Sequence, residues 1–165
     1  MKIALISIFL DDGYEHILDD EFMENVVCQE DHYYHRIAHL LRMGNHDPIV
    51  FYISVEKELK KFTHKYGHTV IRVPAKRIPF LHEPIVYSPE LIKQVENNFD
   101  ASLLFSYYVM YKVPDMFDYI IRKLKGKMPI MTRWSGGQHK WLFPIRKQIK
   151  KSALQNCDKI ICGGK

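Results

Sequence analysis

An α/β protein built on a doubly wound parallel sheet of about six strands, with helices on both faces, is what this sequence predicts. Three observations carry that expectation. Short apolar runs recur at 2–8, 48–54, 68–73, 101–107, 128–132 and 158–162, as strands buried on both faces require. Segments with helical spacing or good helix formers lie between most of them. The chain of 165 residues, 47% of them hydrophobic, is the right size for one domain (1–165) around one core.

The elements follow in order. Lys2–Ile8 reads as a central strand, and the acidic, aperiodic run from Phe9 to Glu30 as a long loop of the kind that carries function. Asp31 caps a helix that runs to Met43 and stops at Gly44. At 100° per residue, Leu40, Tyr33, Ile37, Leu41, Tyr34 and Ala38 fall on its apolar face; His32, His35 and His39 share the polar side. Those three histidines have helical ligand spacing, but no carboxylate-rich motif accompanies them, so no metal site is expected. Pro48–Ser54 is a second strand, Val55–Tyr66 a lysine-rich helix ended by Gly67, and His68–Val73 a third strand. Four prolines between Pro74 and Pro89 leave little regular structure, and Ser88 or Pro89 starts a helix to about Asn97. Ala101–Tyr107 is a fourth strand, Pro114–Leu124 a helix, and Met128–Thr132 a fifth strand. A helix starting near Phe143 and reaching Asn156 precedes the last strand, Asp158–Cys162. The Gly163-Gly164 exit from that strand looks like the end of a first half.

Charge is unevenly spread. Residues 1–31 hold nine of the nineteen acids against Lys2 alone, a net of −8, so the remainder carries +13 within a whole-chain charge of +5. From Ile120 to Cys157 there are ten bases and no acid. Such a field recruits phosphates on nucleotides, nucleic acids or anionic lipids. The three cysteines, Cys28, Cys157 and Cys162, lack a Cys-x-x-Cys spacing and fit reduced thiols in a cytoplasmic protein. No apolar run reaches the roughly 18 residues of a membrane span.

The usual phosphate and nucleophile motifs are missing. Only Asp11-Asp12-Gly13 follows the first strand, and neither a Walker lysine loop nor a Gly-x-Ser-x-Gly elbow occurs. A dinucleotide-dependent dehydrogenase, a P-loop enzyme, a hydrolase and a flavodoxin-like enzyme are thereby disfavoured, and no cofactor is expected. The polar stretch Thr132 to His139, with Gly136 and Gly137 allowing close approach to the main chain, stands where α/β sheets bind ligands, beyond the carboxyl ends of strands.

The run from Asp31 to His46, with Ile37-Ala38 at its centre and Gly44 at its turn, resembles the first helix of two-domain (GT-B type) glycosyltransferases of group 1. Asp100-Ala101-Ser102-Leu103-Leu104, Met128-Pro129-Ile130-Met131-Thr132 and Cys157-Asp158-Lys159-Ile160-Ile161 resemble that family's fourth, fifth and sixth strands. Cys28-Gln29 stands where the family has Gly-Gly, and Trp134 or Ser135 where it often has a histidine. The resemblance implies a Rossmann-like, acceptor-side amino-terminal half. Joined to a carboxyl-terminal domain that binds a nucleotide-sugar donor, it would transfer the sugar to a sugar or lipid-linked acceptor. The residues expected to line its cleft are Asp11, Asp12, Gly13, Tyr107, Tyr108, Arg133, Trp134, Ser135, Gly136 and His139. Tyrosine and tryptophan suit stacking on a sugar face or an acyl chain, and Arg133 suits a phosphate.

Arg122, Lys123, Lys125, Lys127, Lys140, Arg146, Lys147, Lys150 and Lys151, interleaved with aromatic and aliphatic groups, make a surface suited to an anionic membrane. Packing of Leu142, Ile145, Ile149 and Leu154 on the sheet is the plainer reading of the same helix. The alternative function is a self-contained basic α/β module for nucleic acid or nucleotide. No recognition helix or RNA-binding signature supports it, and no nucleic acid partner is expected.

Overall fold

A computed structural model describes residues 1–10, 33–54, 58–78, 85–107, 116–135 and 144–162. The strands are β1 (Lys2–Leu10), β2 (Asp47–Ser54), β3 (Lys60–Thr63), β4 (Thr69–Pro74), β5 (Lys76–Ile78), β6 (Ile85–Tyr87), β7 (Ala101–Tyr107), β8 (Ile130–Ser135) and β9 (Lys159–Cys162). The helices are α1 (Tyr33–Met43), α2 (Pro89–Val95), α3 (Met116–Leu124) and α4 (Pro144–Gln155).

Seven strands form the main sheet in the order β3-β4-β2-β1-β7-β8-β9, and β5 pairs with β6 in a small antiparallel sheet. Apart from β3, every neighbouring pair in the main sheet is parallel. Counted over the parallel strands alone, the order is 3-2-1-4-5-6, the doubly wound Rossmann-like arrangement.

Two clusters fill the two faces. Ala4, Ile6, Phe51, Ile53 and Leu104 pack under α2, α3 and the Ala153 turn of α4. Ile3, Leu5, Val50, Tyr52, Val70 and Leu103 pack under Tyr34 and Ala38 of α1. The alternation along β1 (Ile3, Leu5 one way; Ala4, Ile6 the other) follows from the period-2 geometry of a strand. The helix after β1 thus covers one face, and the helix after β7 the other.

The amino edge is pinned by two aspartates. The Lys2 amide donates to Asp100 Oδ2 at 2.7 Å, and the Ile130 amide donates to Asp158 Oδ2 at 2.7 Å. In each case a strand-start carboxylate satisfies the first N–H of the neighbouring strand. Ser88 caps α2: its Oγ accepts from the Leu91 amide at 3.1 Å and donates to the Pro74 carbonyl at 2.7 Å.

Several expectations are corrected. Residues 60–63 are a strand, not part of a lysine-rich helix. Lys60–Thr63 pairs antiparallel with Thr69–Arg72, and Gly67 closes the hairpin with φ +77°. Phe62 packs against the α1-side cluster, and that tertiary contact overrides the helix formers around it. β1 runs on to Leu10 instead of ending at Ile8. The proline-rich stretch contributes β5 and β6. The strand expected at 128–132 spans Ile130–Ser135, because Phe105–Tyr107 of β7 supply backbone partners for Arg133, Trp134 and Ser135 whatever their polarity. On α1, Leu40 is 64% exposed while His35 is wholly buried, so the packed face is rotated from the one its apolar residues define. Ile145, expected on the sheet, is 76% exposed; Leu154 packs on the core as expected, together with Ala153.

Candidate functional site

The parallel strands all end at one edge. Register pairs Leu10 of β1 with Ile53 of β2, and Tyr107 of β7 with Ser135 of β8. The next described helices after β1 and β7 cover opposite faces, so the carboxyl ends of these two strands stand at the switch point where such sheets bind ligands. Tyr107 and Ser135, the last residues of their strands, stand side by side there, with Trp134 one step inward beside Ser106. Arg133 is half-buried and, two residues on from Met131, shares its α1-side face of β8 instead of standing in a loop. Asp11, Asp12, Gly13, Tyr108, Gly136 and His139 lie outside the described residues.

The basic residues divide into two groups. Arg122 and Lys123 are exposed in the last turn of α3, where cations complement the helix dipole. Lys125 is exposed in the next turn, and Lys127 there is ion-paired with Glu96. Lys147 and Lys151 are exposed on α4, which also carries Arg146 and Lys150 and packs against α3. Lys140 is outside the described residues. A cleft of about 600 Å³ lined by residues 125–129 and 155–158 lies at the amino edge, opposite the carboxyl ends of the parallel strands. Cys157 lines it; burial first, and the Asp158 carboxylate second, push its thiol up to about 11.

A second constellation was not legible in the local spacing. His35 of α1 meets His64 and His68, which flank the turn of the β3–β4 hairpin, and all three are buried. Their ligand-capable nitrogens lie within 4.8 Å of one another. His35 Nδ1 and His68 Nε2 are 2.9 Å apart, and the Tyr52 hydroxyl is 3.1 Å from His35 Nε2. The His35 and His64 rings stack at 4.0 Å between centroids. His64 Nδ1 accepts from the Tyr66 amide at 3.2 Å, while the His64 amide donates to the His68 carbonyl at 2.9 Å. Burial, then the neighbouring His35 and His64, lower the His68 pKa to about 3, so the ring is neutral at physiological pH. His39, expected on the same arc as His35, is exposed and rests on Tyr66 instead. The His64-x-x-x-His68 spacing around Gly67 was the available signal; pairing it with His35, some thirty residues earlier, needed the fold.

The described residues define a doubly wound α/β protein whose strand order diverges between β1 and β7. No protein-family model, curated protein or solved structure matches the chain. Among the described residues, no helix is long and apolar enough to cross a membrane.

Proposed function

We propose that the chain is the acceptor-binding half of a glycosyltransferase of the GT-B type, with the β1/β7 crevice as its acceptor site. The observation that carries this reading is the strand order, which sets the ends of β1, β7 and β8 together at a topological switch point. In the complete reaction an acceptor hydroxyl oxygen bonds to the anomeric carbon of the donor sugar. The bond from that carbon to the diphosphate breaks, the hydroxyl proton goes to a base, and a nucleoside diphosphate leaves. A donor-binding domain holds the nucleotide, and this chain holds and orients the acceptor. Positive charge near the developing diphosphate favours departure without a metal.

The same reading gives α3 and α4 a place. Exposed Arg122, Lys123, Lys147 and Lys151 on two packed helices suit an anionic membrane bearing a lipid-linked acceptor.

Saturation-transfer NMR against neutral and phosphorylated monosaccharides tests the acceptor role. Transfer to a sugar ring that weakens in Arg133→Ala supports it. Transfer to none of the sugars, with tight binding of a nucleotide sugar by this chain alone, removes it.

A further inference from the structure

We infer that His35, His64 and His68 form a binding site for one Zn²⁺ or a similar imidazole-seeking divalent cation, which fastens α1 to the β3–β4 hairpin. Three imidazoles from two distant parts of the chain converge in a buried space, and their nitrogens lie within 4.8 Å of one another. Ligand atoms on a tetrahedral ion with bonds of about 2.0–2.1 Å stand roughly 3.4 Å apart. His35 Nδ1 and His68 Nε2, at 2.9 Å, are already close to that spacing. Separating them by about half an ångström, and drawing in a ring nitrogen of His64, reaches it.

The hydrogen bonding around the rings favours this use over plain packing. Without an ion, the His35 Nδ1–His68 Nε2 contact depends on one shared proton. A cation takes the place of that proton and ties the third ring into the same centre. The Tyr52 hydroxyl on the far nitrogen of His35 is the kind of outer contact that orients a metal-binding imidazole. Tyr52 is therefore a positioning residue. The Tyr66 amide donates to His64 Nδ1, a bond that His64 gives up when its Nε2 serves as the ligand. The all-nitrogen ligand set selects Zn²⁺, Co²⁺, Ni²⁺ or Cu²⁺ over Mg²⁺ and Ca²⁺, which need oxygen ligands.

The site is independent of the sugar-transfer reading and is tested without any activity. Untagged protein is stripped with a chelator, dialysed and titrated with ZnCl₂, with calorimetry, thermal melting and Co²⁺ visible absorption as readouts. One equivalent of Zn²⁺ is expected to bind and to raise the melting temperature, whereas Mg²⁺ leaves it unchanged. Co²⁺ is expected to give the visible absorption of a nitrogen-ligated, low-coordinate ion. The double variant His64→Ala/His68→Ala should lose uptake, and Tyr52→Phe should weaken it about 10–100-fold. Exposed His39→Ala on the same helix should bind as the parent does. Should the double variant fail to fold, Tyr52→Phe and the parent's Co²⁺ spectrum decide. Failure of the parent to take up a stoichiometric ion overturns the inference. So does uptake that survives in a folded double variant, or that depends on His39.

Discussion

Asp158 and Asp100 show how a single carboxylate can hold a sheet edge. Each immediately precedes a strand and accepts the first amide of the neighbouring one, so the aspartate ahead of the apolar runs at 101–107 and 159–162 has a structural cause. Asp158→Ala leaves the Ile130 amide without its acceptor and is expected to cost about 1–2 kcal/mol in urea unfolding, with Asp158→Asn costing less. Cys157, two residues from that carboxylate's strand, tests local burial by a different route. Its thiol ionises near 11, whereas an unfolded thiol ionises near the ordinary 9. Stability therefore falls as pH rises from about 9 toward 11. Alkylation of Cys157 in the native protein, followed by peptide mass spectrometry, should be slow at pH 8 and rise about tenfold per pH unit until near 11. A fast reaction at pH 8 would show an open thiol.

At the scale of elements, the hairpin β3–β4 is where sequence and structure part most. Glu56 to Lys61 is rich in helix formers, and nothing local marks Phe62 as a packing residue. Strand pairing with β4 and the turn at Gly67 decide the outcome. A Cβ at Gly67 would run into the Arg42 guanidinium, which bonds the Tyr66 carbonyl, and the φ of +77° already disfavours any side chain. Gly67→Ala should thus destabilise by about 1–2 kcal/mol in thermal or urea unfolding. α1 diverges in phase for a related reason. Histidine counts as polar in an amphipathic wheel, but His35 is buried because His64, His68 and Tyr52 supply partners from other elements. By contrast β7 was legible to the residue, and β1 and α2 at their starts, since unbroken apolar runs and a Ser-Pro start leave few alternatives. The lysine faces of α3 and α4 carry a prediction of their own. Lys147→Glu with Lys151→Glu should abolish co-sedimentation with anionic vesicles at low salt, and neutral vesicles should not be bound by either protein.

For the whole molecule, the alternation of strand and helix foretold the doubly wound sheet, and the topology adds the order that alternation cannot supply. Which strand lies beside which depends on contacts distant in sequence, such as Ile3 with Ala101 and Leu104 with Thr132. The sequence reading set the candidate working edge at the end of the Met128–Thr132 run, whereas the strand carries on through Ser135 and keeps Arg133 within the sheet. The histidine centre was not legible, because only the folded chain brings α1 to the hairpin. The central claim is that the carboxyl edge at the β1/β7 divergence is the working surface. Backbone amide shifts recorded while a sugar phosphate is titrated into ¹⁵N-labelled protein test it directly. Perturbations concentrated at residues 8–10, 105–107 and 133–135 are the predicted result; perturbations confined to the amino-edge cleft at 125–129 and 155–158 would contradict it.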